Sequence, residues 1–412
     1  MRSEHLTPST SAISIPVLVA ALGYFVDIYD LQLFNIVGKQ SLEQGLKLSP
    51  EEVIRYDYIL FLWQMGGMLL GGIVFGILGD KMGRKSILFS SILIYSLANM
   101  ANAFVTNVEQ YQLIRLIAGF GLSGELGAAI TLISEIMDKE TRGWGTMIVV
   151  SAGALGAVAG NLIAKQSSWQ TSYIVGGVLG LVLLAFRMGT FESTMFKRLK
   201  EAKVQKGNFL MLFKNRSIFM KYLCCILVGL PVWFVIGILV KFASKYATHL
   251  NITESISTGD AIMYSYIGLS VGDLASGWLS QIWRSRRKVV FSYLALTFLL
   301  TMIYLYASGI SVTMFYILTF GLGFAAGFWA LFVSIAAEQF GTNIRATVTT
   351  TVPNFVRGAV IPITLSFNYL LHSFEIQTAT WIIGGVCLAL SAFSVWWLKE
   401  TFARDLNYYE VN

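Results

Sequence analysis

The chain has 412 residues, of which 55% are hydrophobic and only 13% charged, with a formal net charge of +7. An average soluble domain carries about 25% charged residues. An aqueous fold of this size could not bury so much apolar surface, which excludes a soluble enzyme, a nucleic-acid binder and a disordered protein. The apolar residues come in charge-free blocks of about 18 or more, the length needed to cross a bilayer. Ile382 to Leu398 is one such block, and Val289 to Met314 is long enough to fold back once.

The first dozen residues are polar, and the first apolar block has no small-residue cleavage site, so it reads as a retained span. In chain order, spans are expected near 13–37, 56–78, 86–106, 110–134, 144–165, 169–188, 217–241, 260–282, 288–308, 312–336, 346–370 and 378–398, twelve helices in all. A barrel is excluded because these blocks are continuously apolar where barrel strands alternate. The polar stretch 189–216, with Lys197, Arg198, Lys200, Glu201, Lys203 and Lys206, reads as a solvated linker between a bundle at 1–188 and a second at 217–400, with 401–412 as a tail. Cys224, Cys225 and Cys387 fall inside apolar blocks and read as small buried hydrophobes.

Sorting the lysines and arginines orients the spans. With the N-terminus inside, 22 of the 30 fall in inner segments, and the outer loops hold Lys39, Lys47, Arg55, Lys165, Lys241 and Lys245. Both termini are therefore expected to be cytoplasmic, and the +7 is mostly an orientation signal.

The two halves repeat each other. Glu135 is followed by Arg142, and Glu338 by Arg345, at the same spacing and at an offset of 203 residues (135 to 338). Gly72 to Lys85 closes the second span, and Gly272 to Lys288 closes the eighth in degraded form. Two duplicated six-helix bundles imply a transporter with a central site between the halves.

Gly79-Asp80-Lys81-Met82-Gly83-Arg84-Lys85 resembles the signature loop between helices 2 and 3 of the major facilitator superfamily, and the acid-to-arginine pairs after helices 4 and 10 resemble its cytoplasmic gate motifs. The resemblance covers essentially the whole chain. Arg115-Leu-Ile-Ala-Gly-Phe-Gly-Leu-Ser-Gly-Glu125 and Tyr24-Phe-Val-Asp-Ile-Tyr-Asp30 look like helices 4 and 1 of the metabolite:proton, phosphate:proton and sugar symporter branches. Phe191-Glu192-Ser193-Thr194 lacks the prolines of the corresponding sugar-porter sequence. The resemblance implies an all-helical membrane fold of two pseudo-symmetric bundles. It also implies a state-dependent gate at Gly79, Asp80, Gly83, Arg84, Glu135, Arg142, Glu338 and Arg345, where spacing alone fits simple loop anchoring equally well.

Charges inside spans are costly and mark functional candidates. Asp27 and Asp30 lie roughly 21–25 Å along the first helix from its inner end at 1.5 Å per residue, on one face with Tyr24. Arg115 is at a similar depth in the fourth span, so an Asp–Arg pair across these helices is expected. While the arginine is engaged the acid stays ionised, and on separation in a drier setting it takes up a proton. Glu125, deeper in the same span, is a second candidate proton carrier. The alternative is a static ion-pair network, and spacing does not choose between Asp27 and Asp30.

The second half lacks these acids and offers Arg357 near mid-membrane instead, one turn after Asn354 on a helix interrupted by Pro353, Gly358 and Pro362. A guanidinium there suggests an anionic substrate; alternatively it pairs with Asp273 or caps broken backbone. Gln64, Asn161, Trp329 and Tyr24 are further candidates for lining the cavity. No nucleotide-binding loop, metal-ligand cluster or catalytic triad is present in the sequence. The expectation is a monomeric, cofactor-free, proton-driven symporter in a bacterial inner membrane, importing a small organic anion by alternating access. A proton-driven exporter of a drug or siderophore-like molecule and a non-transporting membrane sensor are the alternatives.

Overall fold

The computed structural model describes residues 15–137, 142–187, 209–404 and 408–410, apart from the side chains of Arg84, Lys85, Arg142 and Arg187. The expected gate residues Arg84 and Arg142 therefore have no described side chain, and most of the expected linker, 188–208, lies outside the described residues.

In chain order the α-helices are α1 (Ile15–Gln40), α2 (Pro50–Met82), α3 (Arg84–Asn102), α4 (Val108–Leu122), α5 (Glu125–Ile136), α6 (Arg142–Gln166) and α7 (Trp169–Arg187). The second half continues with α8 (Met211–Lys214), α9 (Arg216–Val228), α10 (Leu230–Phe234), α11 (Ala243–His249), α12 (Thr258–Ile282), α13 (Arg286–Tyr306), α14 (Val312–Ala326), α15 (Trp329–Gln339), α16 (Arg345–Gly358), α17 (Val360–Leu370) and α18 (Ile376–Trp397). π-Helical runs follow α1 at Ser41–Gly45 and α10 at Val235–Val240. Among the described residues, nine helical runs are long and apolar enough to cross a membrane. The others include α12 and the pair α16–α17, where Asp273, four threonines at 347 and 349–351, Asn354 and Arg357 dilute the apolar sequence. These polar groups are buried against protein, where they find partners.

Helix starts follow local chemistry. Ser49 and Glu52 form a capping box ahead of α2, with Pro50 in its first turn, and Asn107, Asn215, Ser257, Ser285 and Ser311 cap α4, α9, α12, α13 and α14 with their side chains.

Glycines fix the packing inside each half, and they do so in the same way twice. A Cβ on Gly67 or Gly71 would strike the carbonyl oxygens of Leu116 or Phe120 on α4, and one on Gly268 or Gly272 would strike those of Phe320 or Phe324 on α14. Gly119 and Gly323 meet the carbonyls of Gln64 and Ser265 in return. Backbone-to-backbone approach of this kind drives helix association where lipid tails are as apolar as leucine, and its recurrence is the pseudo-symmetry in physical form. The halves themselves meet along α2 with α16 and α6 with α12.

Candidate functional site

At the centre, between α1, α6, α10, α12, α15 and α16, lies a cavity of about 20 Å³ lined by Tyr24, Ile28, Trp233, Tyr266, Trp329 and Arg357, among others. That is room for about one water molecule. Arg357 enters from α16, just before the break at Gly358–Ala359, and is 1% exposed. Its Nη2 is 3.9 Å from Asp27 Oδ2 and donates to the Tyr24 hydroxyl at 3.4 Å. Nη1 donates to Asn354 Oδ1 at 3.3 Å, and the guanidinium carbon is 5.8 Å from the Trp329 ring centroid. The buried donor Arg357 Nε has no hydrogen-bond partner among the described residues, and the Trp329 indole N–H lies within reach of the Tyr24 hydroxyl. Buried donors of this kind are costly unless a ligand or water satisfies them.

This geometry revises two expectations about charge. The arginine placed on Asp27 comes from the second half, whereas Arg115 donates to Gln64 Oε1 and lies 4.4 Å over the Phe34 ring. The alternative partner for Arg357, Asp273, instead accepts the backbone N–H of Ala330 at 2.9 Å and caps the start of α15. Sequence spacing places side chains on one helix face but not helices against each other, so the cross-helix partner was not readable. Asp30 is buried beside Asn99, within electrostatic range of Asp27 and Arg115. Glu125 opens α5 immediately after the break at Ser123–Gly124 and is fully buried.

Of the remaining lining candidates, Tyr24 and Trp329 do face the cavity. Asn354 braces Arg357 and donates to the carbonyls of Ser123 and Thr350, both at 2.7 Å, so it ties α16 to the first half. Gln64 is occupied by Arg115. Asn161 donates to Asp260 at 2.9 Å across α6 and α12, away from the cavity. Tyr266 and Ile28 line it without having been singled out as site residues; an aromatic or aliphatic side chain inside an apolar span carries no signal that separates lining from packing.

Toward the basic ends of the helices the halves are shut. Asp80 accepts the N–H groups of Ala346 and Thr347 at 3.1 and 2.8 Å and the Thr347 hydroxyl at 2.6 Å. Arg345 pairs with Glu135 across the halves at 3.7 Å, with both side chains fully buried. Glu338, by contrast, pairs with Arg286 within its own half at 3.1 Å. Thr131 and Thr349 share a hydroxyl contact, and Gly76 and Gly79 bring α2 against Thr347 and Ala346. Gly83 turns the chain from α2 to α3 at φ 104°, which side chains disfavour.

Toward the opposite ends the halves part around a vestibule of about 1100 Å³. Two contacts cross between the halves on this side: Gln32 Nε2 donates to the hydroxyl of the cavity residue Tyr266 at 2.7 Å, and on the vestibule wall Lys241 lies 3.1 Å from Asp57. A small buried central cavity, closed toward the basic ends and facing a vestibule toward the opposite ends, is an arrangement that alternating access uses.

The sequence model of the Major Facilitator Superfamily matches residues 20–364. The chain is 26% identical to a putative niacin/nicotinamide transporter, NiaP, of Bacillus subtilis, over 94% of this chain and 96% of that protein. It is 27% identical to a probable 4-methylmuconolactone transporter of Cupriavidus pinatubonensis, over 79% and 76% of the two chains. The fold is similar to the proton:xylose symporter XylE, with a TM-score of 0.72 at 17% identity, covering 95% of this chain and 97% of that one. It is also similar to FucP in the outward conformation, with a TM-score of 0.70 at 14% identity, covering 93% and 99%. The chain belongs to the Major Facilitator Superfamily and is a membrane transporter, not an enzyme.

Proposed function

We propose that the protein imports a small organic anion together with protons by alternating access. The observation that carries this reading is the buried Arg357 of the second half, set in an aromatic-lined cavity against Asp27 of the first. Several relatives are named as carriers of acids of this size: niacin in Acinetobacter baylyi, and 4-hydroxybenzoate in Pseudomonas putida.

The chemistry follows from charge balance. A substrate carboxylate takes the guanidinium in bidentate fashion, with Arg357 Nε as a donor that has no hydrogen-bond partner among the described residues. Asp27 then loses its cation in a dry site, and an isolated buried carboxylate is too costly to persist, so it takes a proton from the vestibule side. One proton enters with each monovalent anion, and the loaded centre carries no net charge across the bilayer. Asp30 and Glu125 are the further protonatable groups along the first half, through which the proton leaves. The basic ends of the helices are the cytoplasmic ends by the positive-inside rule, which places both termini inside a bacterial inner membrane and makes the vestibule the entry side. No cofactor enters the scheme, and a single chain suffices.

The test is uptake into proteoliposomes over a panel of aromatic and aliphatic acids, with sugars and amino acids as controls. An acidic exterior is expected to drive accumulation of an acid, and a protonophore to abolish it. Counterflow that persists for a substrate which no pH gradient concentrates would overturn proton coupling.

A further inference from the structure

Lys241 ends the π-helical run Val235–Val240, on the vestibule side of the cavity residues Trp233 and Ile236. Its side chain is only 10% exposed. The ammonium lies 3.1 Å from Asp57 of α2, donates to Asn35 Oδ1 of α1 at 2.8 Å, and sits 5.0 Å from the Phe61 ring centroid. A cation from the second half is thus held by two helices of the first, on the vestibule wall and toward the outer ends of the helices from the cavity residues Trp233 and Ile236.

The vestibule wall makes this arrangement asymmetric. It carries Lys39, Arg55, Lys241 and Lys245, while Asp57 is the one carboxylate among its described lining residues. Several cations in a cleft with low-dielectric walls raise the local concentration of anions. An ammonium has three donors, of which Asp57 and Asn35 take two, so an incoming carboxylate has one to engage before anything is displaced. Asp57, at 30% exposure, can rehydrate when it lets go; Lys241 is nearly buried and cannot leave one anion without taking another. Exchange of anions on Lys241 is therefore cheaper than simple rupture. The π-helical turns that carry Lys241 are the kind of segment found at functional hinges.

We propose that Lys241 is a first docking point for a carboxylate substrate, and that the carboxylate opens the Lys241–Asp57–Asn35 gate by replacing Asp57 on the ammonium. The proposal rests on the anionic-substrate reading above. From Lys241 the carboxylate passes to Arg357, which shares the cavity wall with Trp233, eight positions before Lys241 in the chain.

The test uses Ala154→Cys, on the cavity wall, as a reporter labelled by a bulky water-soluble maleimide; the native cysteines are buried and give little background. Asp57→Asn and Lys241→Gln should each label roughly two- to fivefold faster than the reporter alone, as expected for losing a pair partly open to water. The swap Lys241→Asp with Asp57→Lys should restore slow labelling, which a merely destabilised fold would not do. Millimolar benzoate should accelerate labelling of the reporter protein, and neutral benzamide should not. That response should vanish in Lys241→Gln and persist in Arg357→Gln. Unchanged labelling in both single variants overturns the gate, and a benzoate response that survives Lys241→Gln overturns the docking point. A response that needs Lys241 in a protein whose acid uptake ignores Arg357 leaves this site standing and removes the central anion reading instead.

Discussion

Asp80 grips Thr347 twice, accepting its backbone N–H at 2.8 Å and its hydroxyl at 2.6 Å, across a sequence separation of 267. Because Asp80 also takes the N–H of Ala346, a carboxylate from the first half caps the first turn of α16 in the second. On the proposed alternating-access cycle this cap is lost when the basic end opens, so Asp80 is expected to bias the transporter toward the closed state.

Asp80→Asn keeps the shape and loses the charge, which should remove about 1 kcal/mol of that bias. Spin labels at Met82 and Trp283, both exposed at the ends of α2 and α12, report the change. A longer-distance population should grow in the variant, and an unchanged distribution would assign Asp80 to loop anchoring.

Glu135 and Arg345 pair at 3.7 Å with no exposure of either side chain. Removing one member of a buried pair leaves the other's charge stranded, at a cost of about 3 to 5 kcal/mol. Glu135→Gln should lower the thermal transition of the closed state markedly. Arg345→Met should lower it further, because Arg345 also donates to the carbonyls of Ala337 and Phe340. Thermal unfolding in detergent measures both.

Gly268 and Gly66 make a matched contrast. A Cβ on Gly268 would collide with the Phe320 carbonyl, whereas one on Gly66 meets nothing within 4 Å. Gly268→Ala should therefore destabilise strongly by forcing α12 off α14. Gly66→Ala should be neutral or stabilise by up to about 1 kcal/mol through helix propensity. Equal thermal shifts in the two variants would contradict the packing account.

Glu400 follows α18 and meets the start of α13. Burial works against its charged form, but the Ser285 hydroxyl and the N–H groups of Arg286, Phe402 and Arg287 outweigh this and hold its carboxyl below the ordinary glutamate range. A lowered folded-state value means stability that is present above the unfolded value and is lost as pH falls through the folded one. Thermal stability should decline on acidification below the usual carboxylate range, and Glu400→Gln should flatten that decline.

Much of this was legible in the sequence, for reasons particular residues make clear. The bilayer makes every intramembrane charge conspicuous, so Asp27, Asp30, Arg115, Glu125 and Arg357 stood out against apolar neighbours, and the duplicated acid–arginine spacing pointed to Glu135 and Arg345, which meet between the halves. Partnership was not legible. Arg115 settled on Gln64 and Phe34, Arg345 on Glu135 rather than its neighbour Glu338, and Asn161 on Asp260, because which helix faces which depends on glycine contacts such as Gly67 with Leu116. Lys241 counted only as an outer-loop cation and Asp57 was not singled out, and the three-dimensional fold joins them.

The central claim is that Asp27 exchanges Arg357 for a proton when an anion arrives. It is tested most directly by recording uptake and internal acidification together in proteoliposomes holding wild type or Asp27→Asn. The account predicts one proton per monovalent anion in the wild type, and exchange without proton movement or gradient-driven accumulation in the variant. Unchanged accumulation and acidification in Asp27→Asn would contradict it.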